Sequence, residues 1–359
     1  MRAFTIAAAL LAGHLACQHG LAQSGLNNLW LGGFGSSAGP PFGGTNIDFF
    51  SGAADITYIN REMDFRRATA NITDSSGQLL FVTNGYYIAD ASGDTMLNGT
   101  GINPSFYTQQ FPDGLHLSQS HLILPKPGTA GLHYMFHGSY DDPNLGAAMY
   151  LYLSQIDISL NGGLGGVVSK NQVLIQDTLN VGKITAVKHA NGRDWWVFCH
   201  KINTDVFFRL LVTPYGVGPH EAQAIGIVRP MDGGQVCFSP DGSRFAYYWG
   251  EHDLDIFNFD RCTGLLADHV HIDIEDENAI GGVAFSPSSE VLYVSSVEDV
   301  YQYDMLAADI EASMVHVAEW DSFYSPSTVR YPVRSSATGT RRQDLHSHWQ
   351  QHGSIACDQ

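Results

Sequence analysis

The chain of 359 residues carries little charge: Asp, Glu, Lys and Arg together make up only 15%. Positive charge is scarcer still, with 18 Lys and Arg against 36 Asp and Glu and a formal net charge of −18. So acidic a surface repels phosphate backbones and anionic lipid, which argues against electrostatic binding to nucleic acid or membrane. Cysteine is sparse, at five residues. No CxxC pair and no Cys/His pair has zinc-ligand spacing, so neither a disulfide framework nor a thiolate zinc site is expected to hold the chain together. Long apolar runs are confined to the N-terminus. Nothing after it approaches the roughly 20 residues that a membrane-spanning helix requires.

The N-terminus reads "MRAFTIAAALLAGHLACQHGLAQSG". One early arginine, an apolar run through Ala12 and then small residues form the pattern of a secretory signal peptide, residues 1–23, cleaved near Ala22 or Gln23. The alternative is lipidation of Cys17 after "HLA". The expected mature protein is soluble, exported through the periplasm, and secreted or held at the cell surface. Cys199, Cys237 and Cys262 lie between this segment and the C-terminal tail; an oxidising compartment permits them one disulfide and leaves one thiol unpaired.

What the chain does have is glycine, 38 residues, and aromatics, 11%. Five stretches share one plan of apolar alternation, tight turn and second alternation: 70–85, 121–139, 184–201, 236–250 and 283–296. Their turns centre on Gly77, Gly128, Gly192, Gly242 and Ser289, at intervals of 51, 64, 50 and 47 residues. Period-2 alternation around a short turn is a β-hairpin signal. A hairpin about every 50 residues is the length of one four-stranded blade, so residues 24–324 are expected to form an all-β β-propeller. "LDIFNFDRCTG" and "VYQYDM" follow two of the hairpins and read as outer strands. "NNLWLGGFG" begins before the first hairpin.

The phrases "ITDSSGQLLFVTNG", "LNGTG", "ILPKPG", "LNGGLGGVVSKN", "TAVKHANGRDWWV", "FSPDGSRFAY", "FDRCTG" and "FSPSSEVLYVSS" occur in that order across residues 28–324. In this the chain resembles the N-terminal propeller region of large secreted Bacteroidetes proteins that end in a type IX secretion sorting domain. The resemblance implies a propeller of six to seven blades in the intact parent and an export route, and supplies no activity. It also implies a cysteine where this chain has Ala190, which puts a disulfide to Cys262 in doubt.

After Ser325 the alternation and the acidic balance both stop: residues 325–359 hold four Arg and two Asp. The hairpin period places another turn near residue 340. Codons permitted for Thr340 to Ser347, read from their second base, encode "PDGKIYI", the same hairpin as "PDGSRFAYY". This predicts a frameshift between roughly Ser325 and Ala337, an aberrant tail over 325–359 and the loss of the last blade or blades. His346, His348 and His352, which have metal-ligand spacing, would then be accidental.

Two stretches offer ligands for a divalent ion. In "HVHIDIEDE", strand alternation puts His269, His271, Asp273, Glu275 and Glu277 on one face. In "GEHDLD", His252, Asp253 and Asp255 offer a weak calcium site, although calcium wants six to eight oxygens. The preferred reading of both is a solvated outer strand, with no metal and no cofactor. Ser37 in "GSSAG" fits G-x-S-x-G without the strand–turn–helix context a nucleophile needs. "LNGGLGG" reads as a loop, and Trp195, Trp196 and Trp249 as core. "DTM" (94–96) and "DTL" (177–179) fit a short O-glycosylation acceptor pattern. The leading expectation is a non-catalytic binding or spacer module whose partner is a surface protein or glycan. The alternatives are a calcium-dependent lactonase or phosphoesterase and a carbohydrate-binding propeller.

Overall fold

The computed structural model describes residues 28–320 apart from 34, 38–42, 142–146, 181, 232, 252, 275–280 and 297. The expected signal peptide and the tail with His346, His348 and His352 lie outside the described residues. Six antiparallel sheets follow one another along the chain and form the blades of a β-propeller. Their inner strands are Leu29–Gly32, Ala70–Thr73, His121–Pro125, Thr185–Lys188, Gln235–Phe238 and Gly282–Phe285. The first lies against the second, the second against the third, the fourth against the fifth and the fifth against the sixth. Among the described residues no helix is long and apolar enough to cross a membrane.

The expected hairpins join the inner strand of each blade to its neighbour. All five expected turn residues have left-handed backbones: Gly77 (φ 81°), Gly128 (69°), Gly192 (71°), Gly242 (69°) and Ser289 (64°). Glycine adopts this region without a Cβ penalty, and Ser289 does so with its hydroxyl accepting the Asp241 N–H at 3.0 Å. The assignment of outer strands needs correcting. "LDIFNFD" (Leu254–Asp260) and "VYQYD" (within Asp299–Asp304) are third strands; the outer strands are Leu265–Ile272 and Val315–Glu319. A third alternating run in each blade was mistaken for the last one.

The fifth blade shows how alternation builds the core. Val236, Phe238, Phe245, Tyr247, Phe257 and Phe259 pack toward the fourth blade. Cys237, Ala246, Tyr248, Leu254 and Ile256 pack toward the sixth. Successive residues thus feed opposite faces, and both faces of the middle strands are buried. Trp195 and Trp196 split in the same way, Trp195 against the third blade and Trp196 against the fifth. Both, with Trp249, are core residues, as expected. Cys199 and Cys237 occupy two different cores, so no disulfide joins them; all three described cysteines are free.

Five buried apolar clusters join the six blades in series: first to second, second to third, and so on to the sixth. Among the described residues no such cluster joins the sixth blade back to the first. Both end blades instead expose apolar side chains: Ile56 and Tyr58 on the first, Leu306, Val315 and Val317 on the sixth. Their outermost strands, Asp55–Ile59 and Val315–Glu319, are exposed along their whole length.

Candidate functional site

The two stretches with metal ligands come together in the fifth blade. The third strand, Leu254–Asp260, pairs antiparallel with the outer strand, Leu265–Ile272, and Asp255 stands opposite His271. His269, two residues before His271 on the same strand, shares its face and is the diagonal neighbour of Asp255. Asp255 Oδ1 lies 2.7 Å from His269 Nε2 and 2.8 Å from His271 Nδ1. A carboxylate oxygen only accepts, so each ring carries its proton on the nitrogen facing Asp255.

The other carboxylate oxygen belongs to Arg229, the last residue of the fourth blade's outer strand Glu221–Arg229. Arg229 Nε is 2.7 Å from Asp255 Oδ2, and its second nitrogen, Nη2, is 2.5 Å away. Nη2 also donates to the Asp253 carbonyl at 3.2 Å, while the guanidinium lies 4.4 Å above the Tyr247 ring. Arg229 and Asp255 are almost sealed from water, whereas the His271 side chain is 36% exposed and that of His269 21%. The site is a half-open cup. Its floor is a buried ion pair and its rim two imidazoles.

Asp253 closes one side in a left-handed backbone conformation (φ 62°). Its Oδ1 accepts the Ile274 N–H at 3.0 Å, and its Oδ2 stands 3.9 Å from His271 Nε2. The His269 ring stacks on Phe257 with centroids 4.8 Å apart. Asp255, His269 and His271 offer three donor atoms within 4.8 Å of one another. The expected row of five ligands is not formed as drawn: the outer strand ends at Ile272, and Asp273 lies beyond it without joining this trio. Glu275, Glu277 and His252 lie outside the described residues.

The remaining sequence candidates are placed elsewhere. Ser37 sits exposed in a turn between the first two strands of the first blade. "LNGG" forms a short connection around Asn161–Gly163 between two strands of the third blade, as expected. Thr95 is exposed in an isolated antiparallel bridge to Ala89, while Thr178 is half-buried within the strand Gly166–Asn180.

A second polar cluster was not foreseen. In the third blade His121 pairs across strands with His137, and both are buried. The Ser120 hydroxyl donates to the Leu117 carbonyl (3.0 Å), so it accepts the Nδ1 proton of His121 (2.7 Å). His121 Nε2 then accepts from the Asn103 amide (2.8 Å), and Asn103 Oδ1 accepts from His137 Nδ1 (2.5 Å). His137 Nε2 accepts from the Ser154 hydroxyl (2.9 Å), which itself accepts the Asn171 N–H (3.2 Å). Every proton has one assignment, and both imidazoles are neutral. Burial holds His121 down to about 3 and His137 well below its ordinary value. The sequence signal was histidine within otherwise apolar strands, "HLILP" and "LHYMFHG".

The channel side is bridged. Gln119, just ahead of the third inner strand, crosses to the fifth blade and bonds both the Val236 N–H (2.9 Å) and carbonyl (2.8 Å). Gln235 accepts the Val283 N–H of the sixth blade at 3.0 Å. None of the six inner strands contains Asp or Glu.

No protein-family model and no curated protein matches the chain. Solved structures with a similar chain path include a protein of Bacteroides uniformis named as a 6-phosphogluconolactonase, 14% identical over 84% of each chain with a TM-score of 0.45. Another of that name, from Bacteroides fragilis, is 13% identical over 81% of each chain with a TM-score of 0.46. A gluconolactonase of Xanthomonas campestris is 13% identical over 83% of this chain and 79% of its own, with a TM-score of 0.34.

Proposed function

We propose that this chain is a non-catalytic, exported β-propeller that serves as a binding or spacer module of a secreted or cell-surface protein. The observation that carries the reading is the character of the inner strands. They contribute no carboxylate; Gln119 is spent on both backbone groups of Val236 and Gln235 Oε1 on the Val283 N–H, which leaves Asn71 Oδ1 as a lone buried amide oxygen without a partner on the inner strands among the described residues. A propeller hydrolase that holds calcium in its channel needs carboxylates and amides converging there with open valences.

The rival is a calcium-dependent lactonase or phosphoesterase. One pair of assays separates the two. The purified chain is incubated with a sugar lactone and with an aryl phosphoester, with calcium and with chelator, and its melting temperature is read in both conditions. The expected result is no turnover above buffer and no calcium-dependent rise in melting temperature. Turnover that chelator abolishes sinks the non-catalytic reading. A glycan array and a screen against exported surface proteins then address the partner. Sequencing the mature N-terminus tests export, with cleavage expected near Ala22 or Gln23.

A further inference from the structure

We propose that Asp255 Oδ1, His269 Nε2 and His271 Nδ1 bind one divalent transition-metal ion of the zinc class on the outer edge of the fifth blade. The donor set decides the class of ion. Two imidazoles and one carboxylate oxygen suit zinc, copper or nickel, whereas calcium would find a single oxygen here.

Three properties set this trio apart from an ordinary hydrogen-bonded cluster. The carboxylate is fixed from behind: Arg229 occupies Oδ2, so Oδ1 is the oxygen presented to the rim. The far nitrogen of His271 faces the Asp253 carboxylate at 3.9 Å, the imidazole–carboxylate arrangement that orients metal-binding histidines, and Asp253 is itself held by the Ile274 N–H. Access comes through the two imidazoles, the exposed members of the trio, so an ion reaches Oδ1 without disturbing the buried floor.

Geometry permits the exchange of protons for an ion. Without metal, two N–H protons point at Oδ1 over 2.7 and 2.8 Å. A tetrahedral zinc ion with bonds of about 2.0–2.1 Å places its ligand atoms about 3.3 Å apart, so each ring must draw back from Oδ1 by about half an ångström while the two ring nitrogens, which lie within 4.8 Å of each other, settle at that same spacing. Each neutral imidazole moves its proton to the opposite nitrogen. On His271 that proton then points at Asp253. Both rings stay neutral, no net proton is lost, and water fills the fourth position.

The test is titration of the full-length chain with Zn2+ against a chromophoric chelator, with Co2+ absorption as a reading of geometry. A parallel H346A/H348A/H352A chain removes the tail histidines from consideration. The expected result is one equivalent bound in both chains, with the intense visible absorption of four-coordinate Co2+. Asp253→Asn should weaken binding about 10-fold or more, His271→Gln further, and H269A/H271A should abolish it. Near-UV circular dichroism checks folding; if the double variant unfolds, His271→Gln, at an exposed position, carries the test alone. Loss of the equivalent in the tail variant, or unchanged affinity in His271→Gln, overturns the proposal. Neither result touches the non-catalytic reading, which rests on the inner strands.

Discussion

Arg229 and Asp255 meet across the junction of the fourth and fifth blades, Nε to Oδ2 at 2.7 Å, with both side chains almost sealed from water. A buried pair of this kind contributes little against an apolar substitute, but breaking it strands a charge. Arg229→Met is therefore expected to destabilise by about 3–5 kcal/mol, because the Asp255 carboxylate stays buried without its guanidinium partner. The double variant R229M/D255L should recover much of that loss. Urea unfolding of the four proteins forms the cycle. If the double variant costs as much as the two single changes added together, the residues do not act as a pair.

The chain Ser154–His137–Asn103–His121–Ser120 makes stability depend on acid. Burial depresses His121 to about 3, and His116 and His133 each to about 4, chiefly by desolvation. A native imidazole with a lowered pKa stays neutral while the unfolded chain takes up a proton below about 6.5. Stability from these groups is thus complete above pH 6.5 and declines as the pH falls toward 3–4. Unfolding free energies should be level above pH 7 and drop by several kcal/mol by pH 4.5. His121 can gain a proton only on Nε2, where the Asn103 amide already donates, so no relaxed charged form exists. A profile level to pH 4.5 would disprove the neutral relay.

Asn103 is the centre of that relay and has no equivalent substitute. Its amide donates to the Gly85 carbonyl and to His121, its Oδ1 accepts from His137, and its backbone is left-handed at φ 50°. Asn103→Ala should cost about 3 kcal/mol or more, combining an unsatisfied buried imidazole with a left-handed alanine. Thermal melts at neutral pH check this. A change below 1 kcal/mol would mean that the network is already bypassed.

How much of this was legible in the sequence differs between the fold and the site. The hairpins were readable because each depends on local chemistry, an alternating run and a residue that tolerates positive φ, and Gly77, Gly128, Gly192, Gly242 and Ser289 all carry that φ. The third and outer strands were confused because periodicity identifies a strand without ranking it within a sheet. Both halves of the metal-ligand trio were visible as "GEHDLD" and "HVHIDIEDE". Their union depended on the register that sets Asp255 opposite His271, which alternation then extends to His269. Arg229 was invisible, since it arrives from the preceding blade. Asn103 was hidden for the same reason: it lies in a connection, and its partners are two strands of another blade.

Exposed apolar residues on the two end blades give a separate expectation. Ile56 on the first and Val315 and Val317 on the sixth are half-exposed or more, so they contribute little to folding and much to self-association. Lysine at these three positions should change stability by no more than about 0.5 kcal/mol per site while raising the concentration at which the protein stays monomeric. Light scattering across a concentration series reads the second effect. A large loss of stability would show that these faces are covered in solution.

Ala190 and Cys262 provide the last expectation. The Ala190 N–H donates to the Arg261 carbonyl at 3.1 Å, so the turn of the fourth blade and the "FDRCTG" turn of the fifth lie against each other. Arg261 fastens the same junction through the Lys188 carbonyl (2.9 Å) and the His189 carbonyl (3.4 Å). The resemblance implied a cysteine at position 190, and the structure sets that position beside an exposed, free Cys262. Ala190→Cys is therefore expected to close a disulfide under oxidising conditions and to stabilise by about 2–4 kcal/mol. Thiol titration should show two fewer free thiols than in the reduced variant, and the melting temperature should rise and fall back with reductant. If the thiols stay free, the two Cβ atoms face apart and the junction is held by its backbone and Arg261 hydrogen bonds alone.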